Sequence, residues 1–361
     1  MVAPFGRGLG HGGSQRATAL AERLEERGAA VEWLAAPPRE TTRLAKLKDA
    51  LALRPALIGL HPVPPTPQSR PAVAISAHSY LAPRLRALAA PVVRVIDFHN
   101  LEWRHLDDVA AQTSGARRPY LRLQVALMRR FERRLLGTAD LCAFASEEEL
   151  AWAREAAPAA ELAFVPSVLP RADAEEALAT TPAARAGEGL VYLGTLRFPP
   201  NLAALLDFLR SAWPAVREAV PEARLTVVGD CDSEARRTID GFAGVESIGF
   251  APDLRALLDS AAAVIMPIDS RAGTSLRALY CALAGVWVIG SPAAFRGLPW
   301  EMGATVRSPA EWAEAIREAG SAGARGHDRT AAARAAALAL QRDPDPWDAL
   351  YGRLERMARG A

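Results

Sequence analysis

Short apolar runs of strand composition alternate with longer segments of helical period along the whole chain, and this rhythm restricts the fold more than any other feature. Such alternation builds βαβ units on parallel sheets. In the first half the pattern predicts strands at Val2–Pro4, Ala30–Leu34, Val73–Ser76, Val92–Ile96 and Leu141–Ala145. Helices are expected at Gly13–Arg27, Leu81–Leu88, about Leu101–Ala111, Tyr120–Leu136 and Glu147–Glu155. The stretch 166–189, rich in Pro, Ala and Gly with no strand signal, reads as a linker.

The alternation then restarts. Strands are expected at Leu190–Leu193, Arg224–Val228, Val245–Ile248, Ala263–Pro267 and Trp287–Ile289, with helices over 201–219, 233–240, 253–260, 275–284 and 309–319. A chain of 361 residues exceeds the usual single-domain size, so two doubly wound domains are expected, 1–170 and 171–344. A last helix within 345–361, Trp347–Met357, follows the breaker run RDPDP and could pack on either half.

The net charge of +2 is too small to suggest a nucleic-acid partner. Cys142, Cys231 and Cys281 lie far apart without metal-ligand spacing and read as small core residues of a cytoplasmic protein. No apolar run reaches the ~18 residues a spanning helix needs. The helix ARRPYLRLQVALMRRFERRLL carries seven arginines between 117 and 134 and an apolar stripe through Leu121, Val125, Met128 and Phe131. That stripe is either a core face or a weak peripheral membrane contact.

Chemistry concentrates where strands end. The first strand runs into PFGRGLGHGG, where Gly12 and Gly13 open a helix whose bare N–H groups suit an anion. The spacing is not the GxGxxG dinucleotide fingerprint. After Val92–Ile96 comes DFHNLEWRHL. There His99 is the functional candidate, Asp97 is expected to cap the following helix, and Glu102 and His105 are expected to be solvated. In the second half Gly194, Arg197 and Gly229 follow strands. In AGTSLRALYCALAG, the helix start after Gly273 combines N–H groups, the hydroxyls of Thr274 and Ser275, and Arg277 into a phosphate-sized electropositive site. No metal site or P-loop motif accompanies it.

The ordered set HGGSQR, VIDFHN, FERRLLGTADL, LGTLRFPPN, LTVVGD, IGFAPDLRALLDSAAAVIMPI and AGTSLRALYCALAG resembles the retaining glycosyltransferases of sequence family 4. The resemblance implies a GT-B fold, two facing Rossmann-like domains with a deep cleft between them, and a last helix that returns to the N-terminal domain. It implies a metal-independent, retaining transfer from a nucleotide sugar without a cofactor, the acceptor lying on the N-terminal domain. By that likeness Gly12 and Gly13 lie near the diphosphate, His99 lies beside the donor sugar, and Asn100 and His78 contact the acceptor. Gly194, Arg197, Gly229, Gly273, Thr274, Ser275, Leu276 and Arg277 would hold the donor. The ribose-binding glutamate of the family is Tyr280 here, and an earlier acid is Ala272. A tyrosine offers one neutral hydroxyl where a carboxylate accepts two charge-assisted hydrogen bonds. The alternative reading is therefore a catalytically silent GT-B protein that partners another enzyme.

Overall fold

In the computed structural model the described residues are all but 8–11, 39–54, 62–66, 69–70, 86–91, 180–188, 271, 300–301, 321–322 and 361. The end of the expected Leu81–Leu88 helix and the middle of the first glycine loop lie outside them. The chain forms two compact units, one of Met1–Pro170, Ala272–Thr274 and Asp343–Ala361, the other of Arg171–Arg271 and Ser275–Arg342.

The first unit is built on β1 (Val2–Ala3), β2 (Leu34–Ala35), β3 (Val73–Ser76), β4 (Val93–Phe98), β5 (Leu141–Phe144) and β6 (Leu162–Phe164), all parallel in the order β2-β1-β3-β4-β5-β6. Every residue of β5 is buried, as strands covered on both faces require. Alternate side chains part to opposite faces. Val93, Val95, Leu141 and Ala143 pack with Leu20 and Leu24 of the Gly12–Glu25 helix and with Trp347, Leu350 and Leu354 of the Asp345–Gly360 helix. Ile96, Phe98, Cys142 and Phe144 turn the other way, where Phe98 and Phe144 stack 4.6 Å apart. The 347, 350, 354 spacing is the apolar stripe that seats the last helix, and Arg27 fixes its start through Asp348 at 2.6 Å.

The stripe of the arginine-rich helix, Arg117–Leu136, is a core face. Leu121 and Met128 are buried, and Met128 packs with Tyr80, Leu81 and Val92, while its seven arginines are exposed. Arg129 lies over the Trp103 ring at 5.0 Å. Among the described residues no helix is long and apolar enough to cross a membrane.

The second unit has β7 (Gly189–Leu193), β8 (Arg224–Val228), β9 (Val245–Gly249), β10 (Ala261–Met266), β11 (Val288–Gly290) and β12 (Gly303–Thr305), parallel in the order β12-β11-β10-β7-β8-β9. Leu190, Tyr192, Leu225, Val227 and Ile265 form its core with Leu205, Phe208, Trp213 and Trp312.

Several expected elements are corrected. The stretch taken as linker contains a helix, Arg171–Ala179, whose inner face is Ala174 and Ala177. Gly323–Arg342 is likewise an alanine-rich helix. Alanine favours helix intrinsically but writes no apolar stripe, so periodicity misses both. The single helix expected over 201–219 is two, Pro199–Ser211 and Trp213–Ala219, because Pro214 must sit in a first turn. The strand expected at Ala30–Leu34 is Leu34–Ala35, paired with Val2 and Ala3.

Candidate functional site

In the first sheet the strand order reverses between β1 and β3, and the carboxyl ends there are where a doubly wound sheet binds ligands. Three segments converge at that edge: the start of the Gly12–Glu25 helix, His78 after β3, and His99 after β4. Asp97, the penultimate residue of β4, is fully buried and takes Arg16 in a two-point pair, Nη2 to Oδ1 at 2.7 Å and Nε to Oδ2 at 3.1 Å. Arg16 also donates to the Ser167 hydroxyl at 3.1 Å. Asp97 is thus a buried counter-ion, not the expected helix cap. Two buried charges persist in a core only when each satisfies the other, and the bidentate fork does this.

His99 lies directly beyond this pair. Its Nε2 is 3.6 Å from Asp97 Oδ2, too far for a hydrogen bond, and neither ring nitrogen has a partner. Burial, then the neighbouring His78 and Arg16, push its pKa well below the ordinary histidine value, so the ring is neutral. His78 stacks against it with centroids 4.2 Å apart, Tyr80 stacks on His78 at 4.9 Å, and His61 on Tyr80 at 4.9 Å. This row of rings is a rigid support for the edge.

Glu102, expected to be solvated, is 6% exposed and meets His78 Nδ1 at 3.2 Å. Burial alone would raise its carboxyl, but His78, with His105 and His61, outweighs burial and holds it below the usual range. His105 is half-buried, not solvated. Glu132, on the Arg117–Leu136 helix, accepts from the Ser79 hydroxyl at 2.6 Å and from the backbone N–H groups of Glu102 and Trp103 at 3.0 and 3.2 Å. It caps the Glu102–Ala111 helix from outside. Burial pushes its pKa up to about 8.

The short segment Ala272–Thr274 groups with these residues. Gly273 has φ of 71°, and a Cβ there would stand 3.4 Å from Asn100 Cβ and from the His99 carbonyl. Its N–H donates to Glu149 Oε1 at 3.4 Å, and the same oxygen accepts the Leu101 N–H at 3.0 Å. The Thr274 hydroxyl donates to the Ala145 carbonyl at 3.4 Å. The structure thereby gathers Gly13, His78, His99, Asn100, Gly273 and Thr274. Arg16, Glu102, Glu132 and Glu149 were missed as contributors, although Arg16 stands inside the motif HGGSQR.

In the second unit the order reverses between β7 and β10. Gly194 and Gly229 end adjacent strands, and a Cβ on Gly229 would overlap the Gly194 carbonyl. Arg277, in the second position of the Leu276–Leu283 helix, donates from Nη1 to the Leu193 carbonyl and fills the space beside Gly194. Ser275 is the N-cap, makes no side-chain cap bond, and keeps a buried hydroxyl without a partner. Leu276 is buried. Arg197 pairs on the surface with Asp230. Tyr280 is half-buried and donates its hydroxyl to Glu176 Oε1 of the Arg171–Ala179 helix at 3.1 Å. Among the described residues no cluster of three His, Cys, Asp or Glu side chains could hold a metal.

Two parallel, doubly wound six-stranded sheets with flanking helices make this a GT-B fold of two Rossmann-like halves. Residues 187–321 match the family model described as glycosyl transferases group 1. Solved structures agree on the fold. Sucrose-phosphate synthase from Thermosynechococcus elongatus is 17% identical with a TM-score of 0.61, covering 95% of this chain and 92% of its own. WaaG, a glycosyltransferase of lipopolysaccharide biosynthesis, is 15% identical with a TM-score of 0.55, covering 99% and 98%. TarM from S. aureus, solved in complex with UDP among other ligands, is 8% identical with a TM-score of 0.60. The match covers 78% of this chain, which spans only 55% of TarM. No curated protein matches by sequence.

Proposed function

We propose that the protein transfers a sugar, with retention and without a metal ion, from a nucleoside-diphosphate sugar to an acceptor hydroxyl. The observation that carries this reading is the pairing of Arg277 with the uncapped start of its helix, beside Gly194 and within the family-matched unit. Helix N–H groups, the Ser275 hydroxyl and one guanidinium offer charge to a diphosphate as it departs. A phosphate oxygen of that leaving group takes the acceptor proton, so the protein need supply no nucleophile. His99, neutral and unpartnered, orients the sugar.

Thermal melting against a panel of nucleoside diphosphates tests the donor site, because a ligand at a hundred times its Kd adds about 2.7 kcal/mol. A panel that leaves Tm unmoved sinks the reading. With a donor in hand, transfer that persists in a chelator and preserves the anomeric configuration by NMR supports the finer terms. A catalytically silent partner protein is the second reading, favoured by the commitment of Tyr280 to Glu176. It requires nucleotide binding, or none, with no turnover against any acceptor.

A further inference from the structure

Arg277 and Tyr280 stand three residues apart on the Leu276–Leu283 helix, so their side chains leave one face of it a turn apart. Arg277, beside Gly194, is the group offered to a diphosphate. The next position along that face carries no acid of its own. A carboxylate reaches it from elsewhere: Glu176, on the Arg171–Ala179 helix, accepts the Tyr280 hydroxyl at 3.1 Å.

An exposed glutamate on a helix is ordinarily a solvated side chain, but Glu176 is held in place. Ala174 and Ala177 are buried and seat its helix, which packs on the Leu276–Leu283 helix. Two guanidinium groups fix the carbonyl end, Arg334 donating to the Leu178 carbonyl at 2.7 Å and Arg255 to the Ala179 carbonyl at 2.6 Å. Among the described residues only Tyr280 bonds the carboxylate, and it occupies one lone pair of Oε1. The second lone pair of that oxygen and both on Oε2 stay available for acceptance.

Such a group selects what it takes. It repels a phosphate and has no hydrogen to offer an acceptor, so its ligand is a donor. A pair of neighbouring hydroxyls answers a carboxylate with two charge-assisted bonds. In a nucleoside diphosphate the ribose follows the phosphates through a single methylene. Its vicinal hydroxyls therefore fall about the 5.4 Å of one helical turn from a diphosphate held at Arg277.

We propose that Glu176, positioned by Tyr280, is the carboxylate that binds the ribose diol of the nucleotide, supplied by a helix outside the family-matched residues 187–321. This role rests on the sugar-transfer reading and removes its weak point. The tyrosine at 280 neither stands in for a glutamate nor closes the site; it aims a glutamate brought by another helix.

The test is calorimetry on the full chain with UDP, GDP and ADP, their 2′-deoxy counterparts, and inorganic pyrophosphate. The parent binds its preferred ribonucleoside diphosphate roughly ten- to a hundredfold more tightly than the 2′-deoxy form. Glu176→Gln loses most of that preference, weakening the ribonucleotide by a similar factor and leaving pyrophosphate at its parent affinity. Tyr280→Phe releases the carboxylate and lowers the preference part of the way. Tyr280→Glu combined with Glu176→Gln, which moves the acid onto the Leu276–Leu283 helix, regains it. A Glu176→Gln protein in which pyrophosphate weakens as much as the ribonucleotide makes Glu176 structural and overturns the proposal. So does a parent that binds ribo and deoxy forms alike, or a Glu176→Gln protein that keeps the preference; pyrophosphate binding in those cases leaves the phosphate site standing. A parent that binds neither pyrophosphate nor any nucleoside diphosphate overturns the transferase reading, and the role of Glu176 with it.

Discussion

Tyr280 donates its hydroxyl to Oε1 of Glu176 across 3.1 Å, joining the Leu276–Leu283 helix to the Arg171–Ala179 helix within the second unit. Burial, and then Glu176, raise the Tyr280 pKa further above its already high value, so the phenol stays protonated and acts as a donor. The tyrosine and the carboxylate therefore suit each other, whereas a glutamate at 280 would oppose Glu176. Tyr280→Phe should cost about 1 kcal/mol in urea unfolding. Tyr280→Glu should cost more, through like charge, and adding Glu176→Gln should recover part of the loss. A double-mutant cycle that is additive would mean that the two side chains are uncoupled.

Gly194 and Arg277 give a second expectation. A Cβ on Gly194 overlaps the Arg277 guanidinium, so Gly194→Ala evicts the charge without altering it. On the proposed function, calorimetry should find nucleoside-diphosphate affinity weakened in Gly194→Ala about as much as in Arg277→Ala. The loss of one charged hydrogen bond, about 1.5–3 kcal/mol, corresponds to roughly ten- to a hundredfold. Gly229→Ala acts differently, because its methyl meets the Gly194 backbone, which cannot swing aside as a side chain can. Its main effect should appear as lost stability.

The Arg16–Asp97 pair spans 81 residues and is buried at both ends. Asp97→Ala leaves a guanidinium in the core with only Ser167 to answer it. Loss of one member of a buried pair costs about 3–5 kcal/mol. Urea denaturation should find a loss of that size, and the His99 ring signal should shift because its neighbour has gone. A cost below about 1 kcal/mol, the ceiling for exposed pairs, would mean that water reaches Arg16.

The same pair marks the limit of what was legible in the chain. Strands such as Leu141–Phe144 announce themselves, because a sheet covered on both faces demands an unbroken apolar run. The strand-end glycines and the Ser275–Arg277 helix start were equally readable, being local signals. Asp97 next to a helix start looks like a cap until Arg16 is brought from a distant helix, and no local pattern contains that event. Glu102 looks solvated for a similar reason: an acid in a first turn ordinarily faces water, but here the turn is buried against Ser79 and Glu132. His78 had no motif around it beyond the resemblance; its weight comes from the ring stack and from the missing Cβ of Gly13.

Glu132 and His99 should leave opposite signatures in stability against pH. Glu132 has a folded pKa of about 8 against 4.5 for the free side chain, so between those values the folded state holds the extra proton. Its contribution to stability is therefore lost as pH rises, with a slope of at most about 1.4 kcal/mol per pH unit. His99 has a folded pKa well below 6.5, so below 6.5 the unfolded state holds the extra proton and stability is lost as pH falls. The Met1 amine, lowered to about 6 from 8.0 by burial, acts in the same direction as His99 between those two values. The sum of these terms conceals each one, so the readout is a difference between proteins. Glu132→Gln should gain on its parent steadily from about pH 5 to pH 8, and His99→Asn should gain on its parent as pH drops below 6.5. A Glu132→Gln curve parallel to the parent's across that range would mean that Glu132 is already ionised in the folded protein.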